Sequence, residues 1–185
     1  MNEIKFQDLT NDIFMYSNVF EKHEDIVPIL EDESRVLWLK NKIEQQNATL
    51  QTKNMNCLNS MNLEIDMEDF SLICRKLMLT FISYMNHYCK TNEVNVYSYQ
   101  SINFLKYKTG HYFELHTDST EYNNFFLSLV YCVNDDYEGG EFYFPENDLL
   151  VKPEKNSLFI FPANTPYEVK TVTVGTKYSA TLFLK

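Results

Sequence analysis

The sequence predicts a mainly β protein of the α+β class, with a helical first half supporting a second half folded as a two-sheet barrel or jelly roll. Three observations predict it. All four glycines and four of the five prolines lie beyond residue 100, so tight connections concentrate in the second half. From Asn95 onward, eight short runs rich in Val, Tyr, Phe and Thr follow one another: NVYSYQSINFLKY, YFELH, FFLSLVYCV, EFYFP, LLVKP, SLFIFP, YEVKTVTV and KYSATLFL. Before them, Phe70, Ile73, Leu77, Phe81, Ile82, Met85 and Tyr88 recur three or four apart, which places them on one face of a long helix.

In chain order, a short strand is predicted around Ile13–Val19. A helix is then predicted from about His23 to Gln46, with Ile26, Ile29, Leu30, Val36, Leu37 and Leu39 as its apolar positions. Residues 47–64 are Asn-rich and aperiodic and read as a loop. Asp66–Tyr88 is the long helix, whose apolar face must cover one sheet of the barrel. The Asp135–Phe144 segment reads as a turn between strands, with Gly139 and Gly140 supplying backbone freedom.

At 185 residues the chain fits one domain, residues 1–92 as helical support and 93–185 as the barrel core. A net charge of −10 argues against general nucleic-acid binding, which needs clustered Lys and Arg to neutralise phosphates. Cys57, Cys74, Cys89 and Cys132 have no C-x-x-C spacing, and the N-terminus is too polar for an export signal. Free thiols, a cytoplasmic setting and no membrane span are the expectation. Asn- and Lys-rich, Gly-poor composition suits an AT-rich genome such as that of a virus or phage.

His116-Thr117-Asp118 carries the most chemistry. Residues two apart in a strand share a face, so an imidazole and a carboxylate can meet one divalent ion there. A third ligand from elsewhere would complete the two-histidine, one-carboxylate face that holds non-haem Fe(II). The tripeptide alone is a weak signal and is usually a surface pair.

Together with its surroundings it says more. Tyr107-x-x-Gly110-x-x-Phe113-x-x-His116-x-Asp118, then LSLVYCVNDDYEGGEFYFP, VKPEKNSLFIFP and VGTKYS resemble, in order and spacing, the prolyl-4-hydroxylase-like branch of the Fe(II)/2-oxoglutarate-dependent dioxygenases. The resemblance covers about residues 100–185. It implies a double-stranded β-helix with iron on His116 and Asp118, and 2-oxoglutarate and O₂ as co-substrates, with ascorbate as an accessory. Lys177 would pair with the far carboxylate of 2-oxoglutarate, Ser179 would face the same way, and Tyr107 would donate to that carboxylate. The implied activity is hydroxylation of a C–H bond in a prolyl or other residue of a peptide or protein substrate. The plainer alternatives are an exposed strand lysine at 177 and a core tyrosine at 107.

One position departs from the family. Its distal iron-binding histidine would fall at 167, ten before Lys177, and that residue is Tyr167; no histidine follows His116. Three outcomes stay open: a phenolate ligand to iron, a weaker site held by His116 and Asp118 with 2-oxoglutarate, or a barrel without metal that serves as a binding module. Glu114 shares the face of His116 and is a substitute ligand; His87 and His111 are poorly placed, and Glu168 faces away. A sugar-binding, cupin-like barrel rests on fold analogy alone.

Overall fold

The computed structural model describes residues 6–10, 12–32, 39–40, 51–54, 68–99, 102–121 and 124–185. In chain order the elements are β1 (Phe6–Thr10), β2 (Ile13–Ser17), α1 (Ile26–Glu31), β3 (Leu39–Lys40), β4 (Gln51–Asn54), α2 (Glu68–Thr91) and β5 (Asn103–Lys108). There follow β6 (Phe113–His116), β7 (Leu127–Cys132), β8 (Glu138–Gly139), β9 (Phe142–Phe144), β10 (Leu149–Val151), β11 (Ser157–Pro162), β12 (Tyr167–Val169), β13 (Val172–Val174) and β14 (Thr176–Leu184).

An eight-stranded sheet runs β1-β2-β11-β7-β14-β5-β4-β3, and it faces a four-stranded sheet ordered β10-β9-β12-β6. A two-stranded ladder, β13-β8, stands beside them. All pairings are antiparallel. This is the double-stranded β-helix, with helices on one side.

Period-two alternation sorts the central strands into two cores. On β14, Tyr178, Ala180 and Leu182 join the helix-facing core. Lys177, Ser179 and Thr181 alternate with them and are buried on the opposite, barrel-facing side. Helix α2 answers the first face with Ile73, Leu77, Phe81 and Met85, spaced four apart. Both Leu77 and Phe81 are fully buried. The barrel core between the sheets is aromatic: Tyr107, Phe142, Phe144, Phe159, Phe161 and Tyr167 belong to it.

Asn156 fastens the N-terminal strand pair to the barrel. It sits at φ 61°, a left-handed conformation that Asn tolerates. Its buried amide accepts from the Phe20 N–H and the Tyr131 hydroxyl, and donates to the Phe20 carbonyl.

Three expectations need correction. The helix predicted to Gln46 stops at Glu31, where Asp32 turns to ψ 96°, and residues 39–40 are strand. Glu31 and Asp32 put negative charge at a helix C-terminus, where the dipole disfavours it. The predicted loop 47–64 holds β4, which pairs with β5 through its backbone. The rest of that stretch lies outside the described residues. Strand β1 was not anticipated; it pairs with β2 at the sheet edge. Helix α2 extends to Thr91, one turn beyond the predicted end.

Cys74, Cys89 and Cys132 are free thiols; Cys57 lies outside the described residues. No described helix is long and apolar enough to cross a membrane.

Candidate functional site

Two clusters occupy the barrel core, one around Asp118 and one around Lys177.

The first begins at the end of β6. His116 Nδ1 lies 2.7 Å from the Glu114 carbonyl, which can only accept, so Nδ1 carries the proton. The other ring nitrogen, Nε2, lies 3.6 Å from Asp118 Oδ1. The spacing two apart thus brings imidazole and carboxylate together as expected. Asp118 is held on its other side by the Ser128 hydroxyl of β7, 2.6 Å from Oδ2.

Tyr167 lies directly across the ladder from His116. Its hydroxyl donates to the Asp118 carboxylate, 3.3 Å from Oδ1 and 3.2 Å from Oδ2. The ring is buried and caged: Phe161 is 5.2 Å away edge-on, Phe144 is stacked at 5.8 Å, and His116 lies at 4.5 Å. Burial, and then the Asp118 charge, push its ionisation well above the ordinary tyrosine value, so it stands there as a neutral phenol.

The second cluster lies on β14 and β5. Lys177 is completely buried and is the one charged residue among the buried described residues. Its ammonium donates to the Gly140 carbonyl and lies 3.9 Å from the centre of the Phe142 ring, with Tyr107 and Tyr137 each at 5.7 Å. None of the ion pairs among the described residues includes it. Burial pulls its pKa down to about 8. The exposed-lysine alternative is excluded.

Tyr107 pairs with Lys177 across the ladder and is likewise buried. Ser179 is buried two residues on. Gly140 is required here: it has φ +66°, and a Cβ would meet Lys177 Cδ at 3.2 Å and Tyr137 Cε2 at 3.0 Å.

The substitute ligands stay apart from the cluster. Glu114 is exposed and meets His116 only through its carbonyl. Glu168 pairs with Lys170. His87 hydrogen-bonds Tyr16 in the helix layer, and the His111 backbone meets Lys108 and Val172 at the β5–β6 turn. Two members of the site gave no signal of their own in the sequence. Ser128 and Tyr137 stand inside apolar or turn-like runs, yet Ser128 binds Asp118 and the Tyr137 hydroxyl is buried beside Lys177 without a hydrogen-bond partner.

The fit to iron is therefore divided. His116 and Asp118 supply two donors of the right type. The third corner holds a neutral phenol already bonded to Asp118, and no group of three His, Cys, Asp or Glu among the described residues could hold a metal ion. The three-ligand face does not form. A dicarboxylate fits better, because a buried ammonium lacking an anion is costly until one arrives.

The site thus joins an H-x-D pair and a fully buried lysine on the last strand of an antiparallel β-helix. Residues 102–185 match the model of the 2OG-Fe(II) oxygenase superfamily. Solved structures of low sequence identity share its fold over nearly the whole chain. A viral collagen prolyl hydroxylase from Paramecium Bursaria Chlorella virus-1, solved with 2-oxoglutarate, has a TM-score of 0.66 at 16% identity, covering 93% of this chain and 94% of its own. A Trichoplax adhaerens prolyl hydroxylase, solved with a hypoxia inducible factor peptide, has a TM-score of 0.75 at 15% identity, covering 95% and 84%. A Pseudomonas putida prolyl-4-hydroxylase has a TM-score of 0.69 at 14% identity, covering 94% and 92%. No curated protein matches by sequence. The superfamily name implies Fe(II), 2-oxoglutarate and O₂ as its members' cofactors.

Proposed function

We propose that this chain binds a 2-oxoglutarate-class dicarboxylate inside its oxygenase barrel, with Lys177 anchoring the far carboxylate. The observation that carries this reading is the complete burial of Lys177 with a backbone carbonyl and aromatic rings around it and no carboxylate. Ring faces and one carbonyl offset only part of the cost of removing an ammonium from water. An entering carboxylate would complete a charge-assisted pair in a low-dielectric interior, where such a pair is strongest. Tyr107, across the ladder, and Ser179, two residues on, flank the anchor.

The test is calorimetric titration of the full chain with 2-oxoglutarate, beside Lys177→Met. Binding by the parent and none by the variant supports the reading; no binding by the parent, with the fold confirmed by circular dichroism, rejects it.

A second reading is hydroxylation of a prolyl or other residue in a peptide or protein. It is favoured by the Nδ1-protonated His116 whose Nε2 faces Asp118, and by the substrates named for the similar structures. It requires iron to bind with two protein donors. Succinate formation from 2-oxoglutarate under Fe(II), air and candidate peptides decides it, and absence of oxoacid turnover in every combination counts against it.

A further inference from the structure

The distal-ligand position carries more than a missing histidine. A phenol oxygen reaches further from its Cα than an imidazole nitrogen does, by roughly one metal–nitrogen bond of ~2 Å. Where a histidine would end short of a shared ion, the Tyr167 hydroxyl reaches on to the Asp118 carboxylate itself. Its contacts agree: it lies nearly equidistant from both Asp118 oxygens, at 3.3 and 3.2 Å, on the side that faces His116. The Ser128 hydroxyl adds a short bond of 2.6 Å to Oδ2. Asp118 is thus supplied with donors by the protein itself.

Nor can the phenol readily leave. Phe144, Phe161 and Phe142 surround its ring, and Tyr167 is only 5% exposed. Packed aromatic interiors have no spare room for a second rotamer. Metal entry would require breaking the hydroxyl's contacts with Asp118 and repacking this cage.

We propose that the Tyr167 hydroxyl stands in for the metal ion, so that the barrel binds five-carbon dicarboxylates without any metal. The proposal rests on the dicarboxylate reading given above. It also changes what the site can distinguish. In a metal site, chelation by the 2-oxo group and its neighbouring carboxylate separates 2-oxoglutarate from plain glutarate. With the chelating ion replaced by a hydroxyl already committed to Asp118, that distinction is lost, and recognition rests on the far carboxylate at Lys177. The ligand class is then five-carbon dicarboxylates rather than oxoacids alone.

The experiment is calorimetry on the full chain with 2-oxoglutarate and with glutarate, each in excess EDTA and in Mn(II), alongside electron paramagnetic resonance titration of Mn(II). The expected result is 2-oxoglutarate binding within about threefold in EDTA and Mn(II), glutarate within about threefold of it, and no bound Mn(II) signal. Binding of 2-oxoglutarate only with Mn(II), or glutarate weaker by about tenfold or more, overturns the proposal while leaving the dicarboxylate reading intact. Failure of both ligands in both conditions removes the reading and the proposal together. One variant sharpens the result. Tyr167→His is expected to gain a bound Mn(II) signal and metal-dependent 2-oxoglutarate binding. A folded Tyr167→His that binds no Mn(II) contradicts the role given to the hydroxyl.

Discussion

The barrel treats two charges in opposite ways, one half-buried at Asp118 and one fully buried at Lys177. At Asp118 the protein supplies the complement: hydroxyls of Ser128 and Tyr167 donate to the carboxylate, and His116 lies beside it. At Lys177 it withholds one, leaving the ammonium on a carbonyl and ring faces. A charge that is satisfied internally needs no ligand; a charge left without a counterion marks where a ligand belongs.

The strongest challenge to that contrast is Lys177→Met. Removing one partner of a buried charge pair costs about 3–5 kcal/mol, so dicarboxylate affinity should fall by at least roughly a hundredfold in calorimetry. The empty variant should melt higher than the parent, because it no longer buries an uncompensated cation. A variant that binds as the parent does, or that melts lower, breaks the comparison at this end.

Next in size is the effect of pH. Lys177 has a folded pKa of about 8, below its unfolded value, so between those values the unfolded chain holds the extra proton. Stability of the empty protein at this group therefore rises with pH across that window, and the penalty is complete below it. Binding runs the other way, since the anion needs the ammonium. Affinity should be flat below about pH 8 and fall about tenfold per unit above it, with proton uptake on binding near that pH. Calorimetry in buffers of different ionisation enthalpy reads both.

The smallest effect belongs to the satisfied end. Ser128→Ala removes one donor from Asp118 and should cost about 1–3 kcal/mol of stability in denaturant unfolding. Dicarboxylate affinity should stay within about twofold, because Lys177 is untouched. A large loss of affinity would show that the two ends are coupled.

Much of this was readable before any coordinates, for physical reasons that differ by element. Glycine and proline punctuation with alternating Val, Tyr and Phe located the barrel strands, and the two-residue spacing brought His116 and Asp118 together. The vacancy of histidine at 167 was equally plain. What Tyr167 does there was not, because its partner Asp118 comes from the turn after β6, distant in sequence. Ser128 was hidden in an apolar strand run, and Tyr137 in a turn. Strands β3 and β4 form through backbone pairing at a sheet edge, which polar, Asn-rich composition does not announce. The short helix α1 ends where acidic residues oppose its dipole, a local effect that the apolar spacing beyond Asp32 obscured.

The most direct test of the central claim is a crystal structure grown with 2-oxoglutarate and Mn(II) together, with anomalous scattering used to locate manganese. The expected density shows a ligand carboxylate within hydrogen-bond distance of Lys177 Nζ, the Tyr167 hydroxyl still on Asp118, and no anomalous peak between His116 and Asp118. A manganese ion coordinated by those two residues with Tyr167 displaced, or a Lys177 ammonium facing no ligand at all, would contradict it.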